Sequence, residues 1–206
     1  MQKEGKPLSS NAGFWQRARM DVMVSLYLLQ MKFQQLLAES KARMSINPAY
    51  INGAVSSKIF DLGAKWMFEK IHEGENSVGI NFISSTNYRA YGLLKYGLSL
   101  AAFFVSLFFL VKIHIFLAPA SIVVFYLFEV HFLFLFPLLI DQVPNPLLSG
   151  IKQTYRIGLF TAMMTVIPIG CYMMIGLLRW RAPFRNWYTG CLAILIWYQY
   201  DVRNRL

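Results

Sequence analysis

The feature that most constrains this 206-residue chain is how far it runs without a charge. Residues 96–140 contain Lys112 and Glu129 as their only formal charges, and residues 157–178 contain none. Charged residues make up 15% of the chain, whereas a soluble domain carries about 25%. Apolar runs of this length are long enough to cross a bilayer. They exclude a soluble globular enzyme, a disordered chain and a secreted disulfide scaffold.

Three of the apolar runs have the roughly 20 residues that a membrane-crossing helix needs. They cover about residues 93–111, 116–140 and 157–178, and Pro168 predicts a kink at the centre of the third. A fourth run, residues 186–200, reaches only about 22 Å as a helix, against about 30 Å of hydrocarbon. This fourth run is expected to cross a thinned membrane, to lie at the interface or to enter partway.

The region ahead of these runs, residues 1–90, is basic and amphipathic. Apolar periodicity predicts one helix from residue 11 to about 42, which lies in the interface or packs on the protein itself, and a second from 56 to 72. Residues 75–90 are expected to be extended or loop-like. The predicted fold is an all-α integral membrane protein, in which amphipathic helices precede a bundle of three or four transmembrane helices over residues 91–206.

The net charge of +10 points to a negatively charged partner. The Lys and Arg residues are spaced singly along an apolar-rich segment directly upstream of the spans, which favours anionic lipid headgroups over nucleic acid. The basic N-terminal region predicts a start on the cytoplasmic side of a cytoplasmic (inner) membrane. The expected partners are therefore membrane lipids and other membrane subunits, with no nucleic acid.

Glu129 is the strongest single signal for a site. An ionised carboxylate near the middle of a span raises the free energy of membrane insertion by about 2.5–3.5 kcal/mol. Glu129 must therefore be protonated, paired with a cation or hydrogen-bond donor, or in contact with water. It is a candidate for proton transfer or substrate contact, or for a hydrogen bond that holds the bundle together. The expected hydroxyl partners are Ser99 and Ser106 on the first span and Thr161 and Thr165 on the third.

Metal and cofactor signals are weak in this sequence. His131 lies about 200° around the helix from Glu129, so the two side chains are not expected to share a site. Such an intramembrane histidine is more typical of hydrogen-bonded packing than of a ligand. No His, Cys, Asp and Glu spacing matches a zinc or di-iron site, and the sequence predicts neither a metal nor a cofactor.

Two segments at the predicted membrane borders carry further candidates. The irregular loop 141–156 places Asp141, Asn145, Lys152 and Arg156 at one membrane face, either to hold a phosphate headgroup or only to mark the border. The second segment is dense in cationic and aromatic interface anchors: Arg179, Trp180, Arg181, Arg185 and Trp187. Together with Trp197, Tyr198 and Tyr200 they are typical of an aromatic belt or of an anionic-lipid pocket.

Three functions are compatible with these features. The leading hypothesis is a non-enzymatic membrane subunit that packs against partner helices in a larger assembly, because the spans carry few polar residues and no catalytic motif is present. An alternative is a lipid-processing or lipid-transfer protein in which Glu129 or Asp141 performs acid–base work. A third is an oligomeric channel or carrier with Glu129 lining the path.

Overall fold

A computed structural model describes residues 30–44, 59–73, 86–178 and 183–205, and all regular secondary structure in these ranges is helical. The α-helices are α1 (30–42), α2 (Ile59–Ile71), α3 (Tyr88–Ile113), α4 (Ala120–His131), α5 (Leu135–Ile140), α6 (Pro146–Ile157), α7 (Leu159–Leu177) and α8 (Pro183–Asp201). The earlier part of the predicted first helix, like residues 75–85, lies outside the described residues.

Three helical stretches are long and apolar enough to cross a membrane: Tyr88–Ile113, Ile115–Ile140 and Leu159–Leu177. Within the described ranges they confirm the all-helical class and three apolar helical stretches of membrane-spanning length near the predicted positions. The first begins earlier than expected, because Tyr88 is already helical. Asn87 explains this start, since its side-chain oxygen accepts a hydrogen bond from the Ala90 N–H at 3.0 Å and so caps the helix.

The sequence predicts one continuous helix for the second span, but the structure divides it into two. After a short 3-10 turn at Ile115–Leu117, α4 ends at His131 and α5 begins at Leu135. Pro137 accounts for the break, since it has no N–H to donate to the carbonyl of Leu133 and is tolerated only in the first turn of a helix. The two parts also differ in environment, because every residue of α5 is buried.

The predicted irregular loop 141–156 is largely a helix, which corrects the sequence analysis. Asn145 adopts a left-handed conformation with φ of 50°, and Pro146 opens α6. Proline at the first helical position costs nothing, because the first N–H groups of a helix have no internal partner. Gly158, with φ of 98°, then turns the chain into α7.

The predicted fourth run becomes α8, which is longer than expected and lies inside the protein. Its 19 residues begin at Pro183, and it is not among the helices apolar enough to be candidate spans. Trp197 and Tyr198 are fully buried, with Trp197 in edge contact with Phe134 of the turn between α4 and α5. These two residues therefore belong to the core and not to an aromatic belt facing lipid.

The helices of the N-terminal region pack on this core. Leu36 and Leu37 of α1 are buried, as are Ala64 and Trp66 of α2. Of the two placements predicted for the first helix, its described part therefore takes the one packed on the protein. By contrast, α3 is largely uncovered: only 6% of its most apolar window is buried, against 56% for Ile115–Ile140.

Candidate functional site

The centre of the candidate site is an ion pair between two of the apolar spans. Lys95 Nζ on α3 lies 2.8 Å from Glu129 Oε1 on α4, and the two side chains are 5% and 10% exposed. The short connection between Ile113 and Ala120 makes α3 and α4 an antiparallel hairpin, so that both residues come to the same level. Both charges are removed from water, so each is tolerated in the interior only while its partner neutralises it.

This partner corrects the sequence analysis, which assigned hydroxyl groups to Glu129. Three of these hydroxyl groups instead donate a hydrogen bond to a carbonyl group of their own helix: Ser99 to Lys95, Ser106 to Phe103 and Thr165 to Thr161. Such bonds to the preceding turn are an ordinary way to satisfy a hydroxyl in an apolar helix. Lys95 lies inside the first predicted span, one residue before the charge-poor stretch 96–140, and only the register of the hairpin links it to Glu129.

Only one of the two Glu129 carboxylate oxygens is paired. Among the described residues, Oε2 is buried and has no hydrogen-bond partner. Leaving a buried acceptor unsatisfied costs about 1–3 kcal/mol, and more for a charged group. An unpaired oxygen beside a cavity is therefore a place where a hydrogen-bond donor from outside the chain would be favourable.

A cavity of about 130 Å³ adjoins the pair. Lys95 and Glu129 line it together with mainly apolar and aromatic side chains from α2, α3, α4, α5, α7 and α8. Gly170 belongs to this wall, and a Cβ atom there would overlap the Tyr126 hydroxyl, so the glycine allows α7 and α4 to approach closely. The result is an apolar chamber with one neutralised pair of charges in its wall.

A larger second chamber of about 440 Å³ lies next to the first. The two share five wall residues: Met67, Tyr96, Phe136, Trp187 and Cys191. Trp66 also lines the second chamber, and its indole Nε1 is the other buried polar atom without a hydrogen-bond partner in the described part of the chain. Sequence reasoning assigned Trp187 to the membrane interface, whereas it is half-buried and lines both chambers.

The structure places His131 away from this site. Its Nδ1 is 2.6 Å from the Leu127 carbonyl oxygen and its Nε2 is 3.2 Å from the Tyr155 hydroxyl of α6. The described residues contain no group of three or more His, Cys, Asp and Glu side chains that would hold a metal ion.

Asp141 belongs to a separate polar cluster at the end of α8. Its Oδ2 accepts a hydrogen bond from the Tyr198 hydroxyl at 2.7 Å and lies 3.1 Å from Arg203 Nε. Burial raises the pKa of Tyr198, and the hydrogen bond to the Asp141 carboxylate raises it further. The cluster ties α8 to the end of α5, so the recorded contacts of Asp141 are not with Lys152 or Arg156.

The remaining border residues are spread over the surface. Lys152 and Arg156 are exposed and stand one turn apart on α6, and Arg185 is exposed near the start of α8. The other three predicted anchors, Arg179, Trp180 and Arg181, lie outside the described residues.

Comparisons of this chain with protein-family models, with curated proteins and with solved structures find no match.

Proposed function

We propose that this protein is a non-enzymatic subunit of a larger assembly in a cytoplasmic membrane, where it packs against partner helices through α3. The observation that carries the proposal is the exposure of α3. This 26-residue helix is the longest described and is apolar, yet its large side chains remain uncovered around most of its circumference. Some of that surface suits lipid, but one face has the features of a helix–helix contact.

Gly97 and Ala101 define that face, and both are exposed. They are four residues apart, so they stand one above the other on the helix. A Cβ atom at Gly97 would meet nothing within 4 Å, which leaves the notch between them open. In membranes, small residues at this spacing let a second helix approach closely enough for its side chains to interlock.

The surroundings of the acidic residues favour this function over the catalytic alternative. The Glu129 carboxylate is neutralised by Lys95, and that of Asp141 is engaged by Tyr198 and Arg203. An acid–base group must exchange its proton with a substrate. These internal contacts take up one oxygen of each carboxylate, Oε1 of Glu129 and Oδ2 of Asp141, and so oppose that role. An ion path is also disfavoured, because the residues that line the cavity beside Glu129 are mainly apolar.

The charge distribution supports the lipid side of the proposal. Lys152 and Arg156 form an exposed basic face of α6, which we place against anionic headgroups. The basic region upstream of the spans supports a cytoplasmic location for the N-terminal part.

A photo-crosslinker at Leu94 tests the packing of α3. Leu94 is exposed and lies one turn before Gly97, next to the notch. In intact membranes we expect adducts between this chain and another polypeptide, identified by mass spectrometry. Gly97→Leu should abolish them, because the added side chain fills the notch.

The matched control is Ala120→Leu, which adds a similar bulk at an exposed position at the start of α4. This variant should form the same adducts as the parent protein. Adducts with lipid alone, or protein adducts that persist in Gly97→Leu, would contradict the proposed packing. An adduct with twice the mass of the chain would indicate that the protein forms a homo-oligomer and is not an accessory subunit.

A further inference from the structure

The two adjoining chambers have the size and lining of a ligand site. Small-molecule sites typically enclose about 300–1,000 Å³ behind mainly apolar walls with a few placed polar groups. The larger chamber, at about 440 Å³, falls within that range, and the smaller one extends it towards the ion pair. The two chambers are neighbours, because five residues line both of them.

The polar groups of the walls restrict the chemistry of the occupant. Because Lys95 and Glu129 neutralise each other, a charged headgroup would leave an uncompensated charge in an apolar interior. The buried Glu129 Oε2 is an acceptor without a donor among the described residues, and the Glu129 side chain lines the smaller chamber. A hydroxyl supplies the missing donor without adding charge.

The second chamber adds one complementary requirement. The Trp66 indole N–H is a donor only, and it has no acceptor among the described residues. The rest of the wall is mainly aromatic and aliphatic, with Phe60 and Phe136 among its residues, and it also includes the side chains of Tyr96, Tyr188 and Cys191. A hydrocarbon chain with one carbonyl oxygen fits this wall.

We propose that the two chambers bind one neutral, single-chain lipid that carries a hydroxyl headgroup and an ester carbonyl, which is the chemistry of a monoacylglycerol. The hydroxyl donates to Glu129, the carbonyl accepts from Trp66, and the chain fills the larger chamber. A fatty acid fits less well because its carboxylate competes with Glu129 for Lys95. A cationic lipid places its charge beside the Lys95 ammonium.

Photolabelling of the full-length protein tests this assignment. The protein is reconstituted in phosphatidylcholine vesicles with a monoacylglycerol that carries a diazirine in its chain, and the label is located by peptide mass spectrometry. We expect label on residues of the larger chamber, such as Trp66 and Phe136, and competition by unlabelled monoacylglycerol. The fatty acid methyl ester probe of equal chain length lacks the hydroxyl and should label about tenfold less.

Gly63→Leu provides a variant that closes the chamber without harming the fold. Gly63 lines the larger chamber, and a Cβ atom there meets nothing within 4 Å. Leucine also has a higher helix propensity than glycine, so α2 should be no less stable. We expect labelling to fall about tenfold or more, whereas Ala120→Leu, outside both chambers, should label as the parent does.

Three results would overturn the proposal. Undiminished labelling of Gly63→Leu would mean that the chamber is not the site. Equal labelling by the methyl ester would mean that no hydroxyl is recognised. Label confined to the exposed faces of α3 would mean that the probe reports bulk lipid only.

Discussion

Replacing Lys95 with Met tests whether the ion pair between α3 and α4 is as dry as its geometry indicates. The substitution keeps a long, flexible side chain but leaves the Glu129 carboxylate buried without a cation. Both side chains are at most 10% exposed, so solvent screening does not weaken the interaction as it does at a surface. Removing one partner of such a pair costs about 3–5 kcal/mol, and we expect a loss of this size in the free energy of unfolding.

The double variant Lys95→Met with Glu129→Leu separates the pair from its parts. Replacing both charges with apolar side chains is close to neutral in buried pairs, so we expect the double variant to lose less than about 1 kcal/mol. The two single losses would then be strongly non-additive, which is the mark of direct coupling. Urea unfolding in dodecyl maltoside micelles, followed by circular dichroism, measures all three variants against the parent.

Lys112→Met is the matched control, because this lysine lies on the same helix but is exposed and stacks over Phe108. It should change the free energy of unfolding by no more than about 0.5 kcal/mol. If Lys95→Met costs no more than Lys112→Met, or if the double variant costs the sum of the single ones, the pair is solvated and the reasoning from burial is wrong.

Two further predictions concern packing and pH. Gly170→Ala should lose about 1–2 kcal/mol in the same assay, because the overlap of its Cβ with the Tyr126 hydroxyl costs about 1–3 kcal/mol and the higher helix propensity of alanine offsets up to about 1 kcal/mol of this. An undiminished stability would contradict the close approach of α4 and α7. Burial alone would raise the pKa of Asp201, but its hydrogen bond and ion pair with Lys32 lower it, so this contact stabilises the protein above about pH 4 and is lost as the pH falls further. Asp201→Asn should therefore have a lower melting temperature than the parent at pH 7 and approach it near pH 3, and parallel pH profiles would refute this.

The parts of the fold that could be predicted are those set by local sequence. Apolar runs located the three candidate spans, because length and hydropathy alone decide whether a helix suits hydrocarbon. Two prolines account for differences from the prediction. Pro146 starts α6 within the segment predicted to be an irregular loop, and Pro137 divides the second apolar run into two helices, because the effect of proline depends on its position within a helix.

The candidate site required tertiary information that the sequence shows only faintly. The separations of Lys95 and Glu129 from His114, near the end of α3, differ by about one helical turn. An antiparallel hairpin register around His114 would therefore have pointed to the pair. The chambers had no such signal. Their walls combine side chains from several helices, including Trp66 of α2 and Trp187 of α8, and nothing in either segment shows that the two would meet.

The least lipid-like of the long helices, α8, is also the one most enclosed by protein, and the environment of each helix explains this inversion. A helix in apolar surroundings has no partners for polar side chains, and the large side chains that α3 exposes are mainly leucine, phenylalanine and valine. A helix surrounded by protein can carry polar groups because its neighbours satisfy them: Asn186 donates to the Tyr172 carbonyl, and the Trp197 indole donates to Asp201. Hydropathy therefore identifies the helices that need lipid or a partner helix around them, and it underrates the helix on which the others pack.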